Sequence, residues 1–256
     1  MNSQRIAVVG ATGSVGHHVV DVLRERGHEV VAVSRRNGVD VVTGDGLAQA
    51  LAGVDTIVDA ASNDSPDGDA ATAFFTASTK NLHEAGAEAG VRRMVVVSII
   101  GIDGFSGGYN DAKKEHERLT RAGAIPVRIL RAAQFHELFP RFVDWGRQNG
   151  VSYIPDGRTQ PIAARNVAEA LADLATGPDE AFDSDAPHLE IAGPREERFG
   201  ELAKLVVTKR ELPLRVEVVS NPSDPDSALY ESGAILPGPE AVLAGPTFEE
   251  WLEADS

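Results

Sequence analysis

Apolar residues along this chain follow two rhythms. Ile6-Ala7-Val8-Val9 is a short unbroken run rich in β-branched residues, the mark of a strand buried on both faces. Just beyond it the spacing changes, because Val15, Val19, Val22 and Leu23 recur at helical intervals and Gly27 is placed to close that helix in a left-handed conformation. The alternation then repeats. Glu29–Ser34 predicts a second strand, Val39–Val42 a short third and Leu47–Leu51 a helix. Thr56–Ala60 predicts a fourth strand, Ala70–Ala89 a long helix ending near Gly90, Met94–Ser98 a fifth strand and Val127–Leu130 a sixth. Strands and helices in this order predict an α/β fold with a doubly wound parallel sheet and helices on both faces.

Beyond residue 150 the pattern loosens into a helix near Arg165–Ala175, an acidic Pro/Asp-rich link over Gly177–Pro187 and a strand near Leu189. A helix over Phe199–Val207 follows, and then a Pro-, Ser- and Gly-rich loop over Asn221–Pro239. We therefore expect a core over residues 1–150 and a smaller C-terminal lobe over 151–256, partly interleaved with the core. Trp145 and Tyr153 are read as packing residues.

Composition narrows the class. The chain has 256 residues, 42% of them hydrophobic, enough to bury a full core as a monomer or a homodimer. It has no cysteine, which excludes disulfides, thiolate catalysis and Cys-bound metal centres. With 24 Lys+Arg against 39 Asp+Glu the net charge is −15, which disfavours nucleic acid and anionic membrane surfaces as partners. Met1-Asn2-Ser3-Gln4 leads into the first strand without a charged leader or long apolar segment, so a cytoplasmic location is expected. The histidines lack ligand spacing, since His17-His18 are adjacent and Glu115-His116-Glu117 point to different helix sides; no metal is predicted.

Gly10-Ala11-Thr12-Gly13-Ser14-Val15-Gly16 occupies the turn between the first strand and its helix. Glycines there let the backbone approach a pyrophosphate closely, and the N–H groups and positive dipole end of the helix attract its charge. Gly10, Thr12, Gly13, Ser14, Val15 and Gly16 are thus candidate dinucleotide-binding residues. The βαβ unit closes with Ser34-Arg35-Arg36, where a cofactor with a free ribose 2′-hydroxyl would meet an acid. Two guanidinium groups suit a 2′-phosphate instead, so NADP(H) is expected in preference to NAD(H), with Ser34, Arg35 and Arg36 reading it. Asp40 lies too far along to supply the missing acid. Asp45 either borders the adenine or caps the next helix. The loop after the fourth strand, beginning Ala60-Ala61-Ser62, should flank the same crevice, because ligands bind at strand carboxyl ends where the winding reverses.

Tyr109 and Lys113 stand four apart, on one face of a helix that begins one loop beyond the fifth strand. A phenol that exchanges a proton near neutral pH needs a nearby cation, and Lys113 can supply it while also bonding the nicotinamide ribose. Glu117, four residues further on, would instead hold the lysine away from Tyr109 if the two form an ion pair.

The sequence resembles the atypical short-chain dehydrogenase/reductases of the NmrA-like, NAD(P)H-binding group. The likeness spans nearly the whole chain. It rests on Gly-Ala-Thr-Gly-Ser-Val-Gly at 10–16, Val-Ser-Ile-Ile-Gly at 97–101, Tyr109 to Lys113 with Glu117, Arg-Ala-Ala-Gln-Phe-His-Glu at 131–137 and Arg-Asn-Val-Ala-Glu-Ala at 165–170. The resemblance implies a Rossmann-like fold, NADP(H) at the glycine loop and Arg35, and in enzymatic members hydride transfer with Tyr109 as acid/base and Lys113 as its helper. The chain departs from the broader dehydrogenase pattern at strand five, where Ser98 is followed by Ile99 instead of a second hydroxyl residue. Ser98, or Ser106 in the following loop, is then the candidate partner of a substrate carbonyl.

Phe135 and His136, just after the sixth strand, are candidate substrate contacts, with a capping or surface role as the alternative for His136. Gly104-Phe105-Ser106-Gly107-Gly108 matches a hydrolase G-x-S-x-G but lies several residues past its strand, outside a strand–helix elbow. The expected function is NADPH-dependent reduction of a carbonyl or quinone-like small molecule, with the C-terminal lobe covering the substrate. The alternatives are a non-catalytic NADP(H)-binding redox sensor, which would carry an exposed apolar docking patch, and an isomerase or epimerase that retains its NADP.

Overall fold

The computed structural model describes residues 3–63, 67–178, 182–220 and 226–254. Parts of the Gly177–Pro187 link, of the loop after the fourth expected strand and of the Asn221–Pro239 segment, with the Met1-Asn2 lead, lie outside the described residues. In chain order the elements are β1 (Arg5–Val9), α1 (Gly16–Glu25), β2 (Glu29–Val33), α2 (Leu47–Leu51), β3 (Thr56–Asp59) and α3 (Gly68–Ala89). There follow β4 (Arg93–Ile99), α4 (Gly108–Ala122), β5 (Val127–Ala132), α5 (Leu138–Trp145), β6 (Arg147–Gln148), β7 (Val151–Pro155) and β8 (Arg158–Thr159). The chain continues through α6 (Ala164–Thr176), β9 (Leu189–Ala192), β10 (Glu197–Arg198), α7 (Phe199–Lys209), β11 (Arg215–Val219), α8 (Ser227–Ser232), β12 (Val242–Leu243) and α9 (Phe248–Ala254).

The chain forms two compact units, each gathered from separate stretches: Met1–Ser98, Gly107–Arg131 and Val167–Leu189 in the first, and Ile99–Ser106, Ala132–Asn166 and Glu190–Ser256 in the second. In the first unit the strands stand in the order β5-β4-β3-β1-β2. The β1 pairings with β2 and β3 and the β3 pairing with β4 are all parallel. Since β1 lies between β2 and β3, the winding reverses there, and the carboxyl ends of β1 and β3 form the switch point of a doubly wound sheet.

Strand alternation explains how one apolar run serves two faces. Ala7, Val9, Ile57, Met94 and Val96 pack with Leu47 and Leu51 of α2 and Leu82 of α3. Ile6, Val8, Val58 and Val95 alternate with them and are equally buried. The α1 helix ends as its sequence predicts, with Gly27 at φ +83° just past the last turn. At the opposite end of the sheet, buried Arg93 of β4 donates to the carbonyl of Ala175 in α6 and to Gly177 beyond it (2.9 and 2.6 Å), satisfying acceptors that a helix C-terminus leaves open.

Val39–Val42 corrects one expectation: it is a turn. The Asp40 carboxylate accepts from the Val42 and Thr43 N–H groups, and Gly44 N–H closes back on the Asp40 carbonyl. An aspartate that can satisfy its own backbone neighbours outcompetes a short strand. Asp45 does not cap α2 either, because Gly46 holds the N-cap position without a side-chain bond.

The second unit packs around Phe139, Ile154, Phe199, Leu202, Phe248 and their neighbours. Its strands include β11-β7-β6, the antiparallel pair β10-β8 and the parallel pair β9-β12. Within the Asn221–Pro239 segment, expected to be loop throughout, Ser227–Ser232 forms α8 and ends at Gly233 in the left-handed region. Trp145 and Tyr153 are exposed, 64% and 38%, which corrects their reading as packing residues. Trp145 sits on the last position of α5 with the Arg141 guanidinium over its ring.

Candidate functional site

The glycine turn is built for close approach. Gly10 has φ +73°, and a Cβ there would stand 2.6 Å from the Ala60 carbonyl oxygen. A Cβ on Gly16 would stand 2.1 Å from the Gly10 carbonyl oxygen, so the first helical residue must also be glycine. Gly13 is less crowded, its Cβ meeting only the Gly10 oxygen at 3.2 Å. The Gly10 and Ala11 N–H groups both donate to Val33 O, fastening the turn to the end of β2. Thr12, Gly13 and Ser14 are exposed, and the α1 N-terminus begins after Val15 with no side-chain cap. An uncapped helix N-terminus behind an exposed glycine turn is a ready anion site.

At the end of β2, Ser34 Oγ is buried without a hydrogen-bond partner. Arg35 and Arg36 open a short 3-10 turn, exposed, and among the described residues neither guanidinium is held by another side chain. No carboxylate stands at this strand end, and Asp40 is occupied in its own turn. Asp45 is exposed, its N–H donating to Thr43 Oγ1. The set, a glycine cradle, an uncapped helix N-terminus, an unpartnered hydroxyl and two guanidinium groups unengaged among the described residues, fits the phosphates of a dinucleotide.

The loop after β3 completes the wall. Ala60 N–H donates to Val9 O, and Ala61 N–H donates to the Asp59 carboxylate (2.9 Å). Ser62 Oγ lies 2.8 Å from the Tyr109 hydroxyl. Tyr109 stands in the first turn of α4, with its ring edge-on to Phe75 at 5.9 Å. Gly10 abuts Ala60 and Ala61, and Ser62 follows them, so one short loop links the glycine turn to the phenol.

Lys113 shares the Tyr109 face of α4 but turns inward, 3% exposed. Its ammonium donates to the Val97 carbonyl and lies 2.9 Å from both that oxygen and His116 Nδ1. Burial lowers its pKa to about 8, against the opposing charges of Asp59 and Glu117. Glu117 does not take the lysine: it forms a bidentate pair with Arg131, 2.9 and 2.8 Å, inside the sheet–helix layer. Burial pushes the Glu117 carboxyl up, but hydrogen bonds and charge from Arg131, with Ser98 beside it, bring it below the usual range. Ser98 lies beside Glu117. Its buried Oγ has no aligned hydrogen-bond partner, and the structure does not bring it to Tyr109.

In the second unit His136 is fully buried, flanked by the Phe248 and Trp251 rings with Nε2 3.2 Å from Pro246 O. Burial lowers its pKa to about 4. It is a core histidine, neither capping nor on the surface. Phe135 is half-buried, and its backbone bridges to Ile162. Ser106 donates from both N–H and Oγ to Asp226, both in the second unit. Among the described residues no His, Asp and Glu cluster could hold a metal ion, and no helix is long and apolar enough to cross a membrane.

Sequence reasoning missed Asp59, His116 and Phe75, which surround Lys113. The only signal was the placement of His116 three residues after Lys113 on the same helix.

No curated protein matches the sequence. Among solved structures, dTDP-4-dehydrorhamnose reductase from Bacillus anthracis str. Ames in complex with NADP is similar over 99% of this chain and 98% of its own, at TM-score 0.73 and 14% identity. A UDP-galactose 4-epimerase is similar over 85% and 87%, at 0.70 and 20%. A short-chain dehydrogenase/reductase superfamily protein from Agrobacterium tumefaciens with bound NAD is similar over 98% and 95%, at 0.67 and 19%. These likenesses establish the Rossmann-like fold. A model of the NAD(P)H-binding family matches residues 10–178, from the glycine turn through α6, and the chain belongs to that family.

Proposed function

We propose that the protein is an NADPH-dependent reductase of a carbonyl or quinone-like small molecule. The observation that carries this reading is the 2.8 Å hydrogen bond between Tyr109 and Ser62, which ties the phenol to the loop abutting the glycine turn. Thr12, Gly13, Ser14 and the N–H groups opening α1 would hold the pyrophosphate, between Gly10 and Gly16. Arg35 and Arg36, with the unpartnered Ser34 hydroxyl, would hold a 2′-phosphate, which favours NADP(H) over NAD(H). Asp45, Ala60 and Ala61 would border the adenosine half. Bound NADPH supplies a hydride.

Tyr109 delivers the proton to the developing alkoxide, and Ser62 is the second hydroxyl able to orient the carbonyl oxygen, in place of Ser98. Lys113, buried one turn further along α4, would supply the positive charge that eases proton release. A bond from Lys113 to the nicotinamide ribose would compete with those to Val97 and His116. His136, fully buried, is given none of this work.

The test is NADPH oxidation across quinones, aldehydes and ketones by the wild-type protein and Tyr109→Phe, with NADPH affinity titrated for both. Turnover lost at least 100-fold in Tyr109→Phe with affinity retained is expected. Tight NADPH binding without turnover on any acceptor would replace the reductase by a redox sensor or a cofactor-retaining isomerase. Absence of binding would overturn the reading.

A further inference from the structure

We propose that Asp59 and His116 are positioning residues for Lys113, an anchor that reaches from the end of β3 through an imidazole and fixes the ammonium one helical turn beyond Tyr109. The proposal rests on reading Tyr109 and Lys113 as a working pair. Asp59, His116 and Lys113 are 2%, 1% and 3% exposed, so water does not compensate their polarity. Lys113 Nζ lies 2.9 Å from His116 Nδ1, and His116 Nε2 lies 3.3 Å from Asp59 Oδ2.

This order fixes the tautomer. An ammonium can only donate, so Nδ1 is the acceptor and the imidazole proton sits on Nε2, facing the carboxylate. Burial and the Lys113 charge both lower the His116 pKa, keeping the ring neutral against the opposing pull of Asp59 and Glu117. The Nε2–Asp59 contact is close without being aligned as a hydrogen bond, so its contribution is mainly the attraction between the ring N–H and a buried anion.

Phe75 is the shared wall. His116 stacks on its ring at 4.5 Å and 18°, the Lys113 ammonium lies 4.7 Å from its centroid, and Tyr109 meets it edge-on. Positions 109, 113 and 116 lie on one helical face, so a single α3 residue sets their mutual arrangement. Asp59 also joins the anchor to the cofactor wall, because its other oxygen takes the Ala61 N–H. Other charged or titratable groups near Lys113 are accounted for. Glu117 of α4 is neutralised by Arg131 of β5, and His83 of α3 accepts the Ile125 N–H and is held below its ordinary pKa by burial.

The test combines NMR of the ligand-free protein with kinetics. Titration of 13Cε-labelled lysine, the Lys113 signal assigned by its loss in Lys113→Met, gives the ammonium midpoint directly. In Asp59→Asn and His116→Leu the midpoint is expected to fall by about one pH unit or more, with recovery in His116→Asn, which restores an acceptor near the Nδ1 position. The alkaline limb of kcat should move with it. A midpoint unmoved in both Asp59→Asn and His116→Leu overturns the proposal. Wild-type 15N spectra of His116 give a check that no substitution disturbs: an Nε2–H ring is expected, and an Nδ1–H ring overturns the anchor. Midpoint shifts without NADPH turnover would support the anchor while removing the reductase reading; Tyr109-dependent turnover with an indifferent Lys113 would do the reverse.

Discussion

Titratable side chains on this protein differ in what surrounds them. Arg35 and Arg36 are exposed and unengaged among the described residues, as groups waiting for a ligand phosphate would be. Replacing both by Ala should weaken NADPH about 10- to 100-fold and leave NADH nearly unchanged, the range for losing charge-assisted hydrogen bonds, as titration of both cofactors will measure. His136 illustrates the opposite case. Its unfolded imidazole protonates near pH 6.5 and its folded one only at about 4, so the unfolded state binds the extra proton between these values. Stability from this group is complete above pH 6.5, falls as the pH drops and is exhausted near 4, a loss of at most about 3 kcal/mol. Urea unfolding at pH 7 and pH 4.5 should show a smaller pH-dependent loss for His136→Phe than for wild type. The sequence marked His136 as interesting but gave no sign of its burial, which depends on Phe248 and Trp251 from the far end of the chain.

At the scale of elements, the β1–α1 turn has the tightest sequence requirement in the site. Gly16→Ala places a methyl 2.1 Å from the Gly10 oxygen, so the helix start must shift away from β1. We expect a cost of about 1–3 kcal/mol in thermal or urea unfolding, with NADPH affinity falling at least tenfold because the first N–H groups of α1 move. This turn was readable because its demands are local: a strand, a helix and glycines at fixed offsets. The α4 helix was readable only in part. Its periodicity puts Tyr109, Lys113 and Glu117 on adjoining positions, and spacing alone pairs Lys113 with Glu117. Arg131 takes Glu117 instead, and His116 with Asp59 takes Lys113. The false third strand failed at the same level, since periodicity could not register that Asp40 would bond its own neighbours.

For the whole molecule, charge sets a further expectation. A net charge of −15 repels a polyanionic cofactor at long range, whereas Arg35 and Arg36, as proposed, would attract it at the site. In stopped-flow association, wild type should show a shallow dependence on salt, while Arg35→Ala/Arg36→Ala should bind NADPH faster as salt screens the remaining repulsion. Sequence alone determined the alternation of strands and helices in the first unit, the parallel α/β class, the glycine turn with its arginines and the helical face of Tyr109 and Lys113. Each depends on neighbouring residues, through backbone torsion, period and strand–helix order. Tertiary structure alone decided that Lys113 is buried against His116, that Glu117 pairs with Arg131 and that Ser62 meets Tyr109. These partners come from different strands and helices, and a side chain's burial and polar partners are set by packing between segments, which no local pattern encodes.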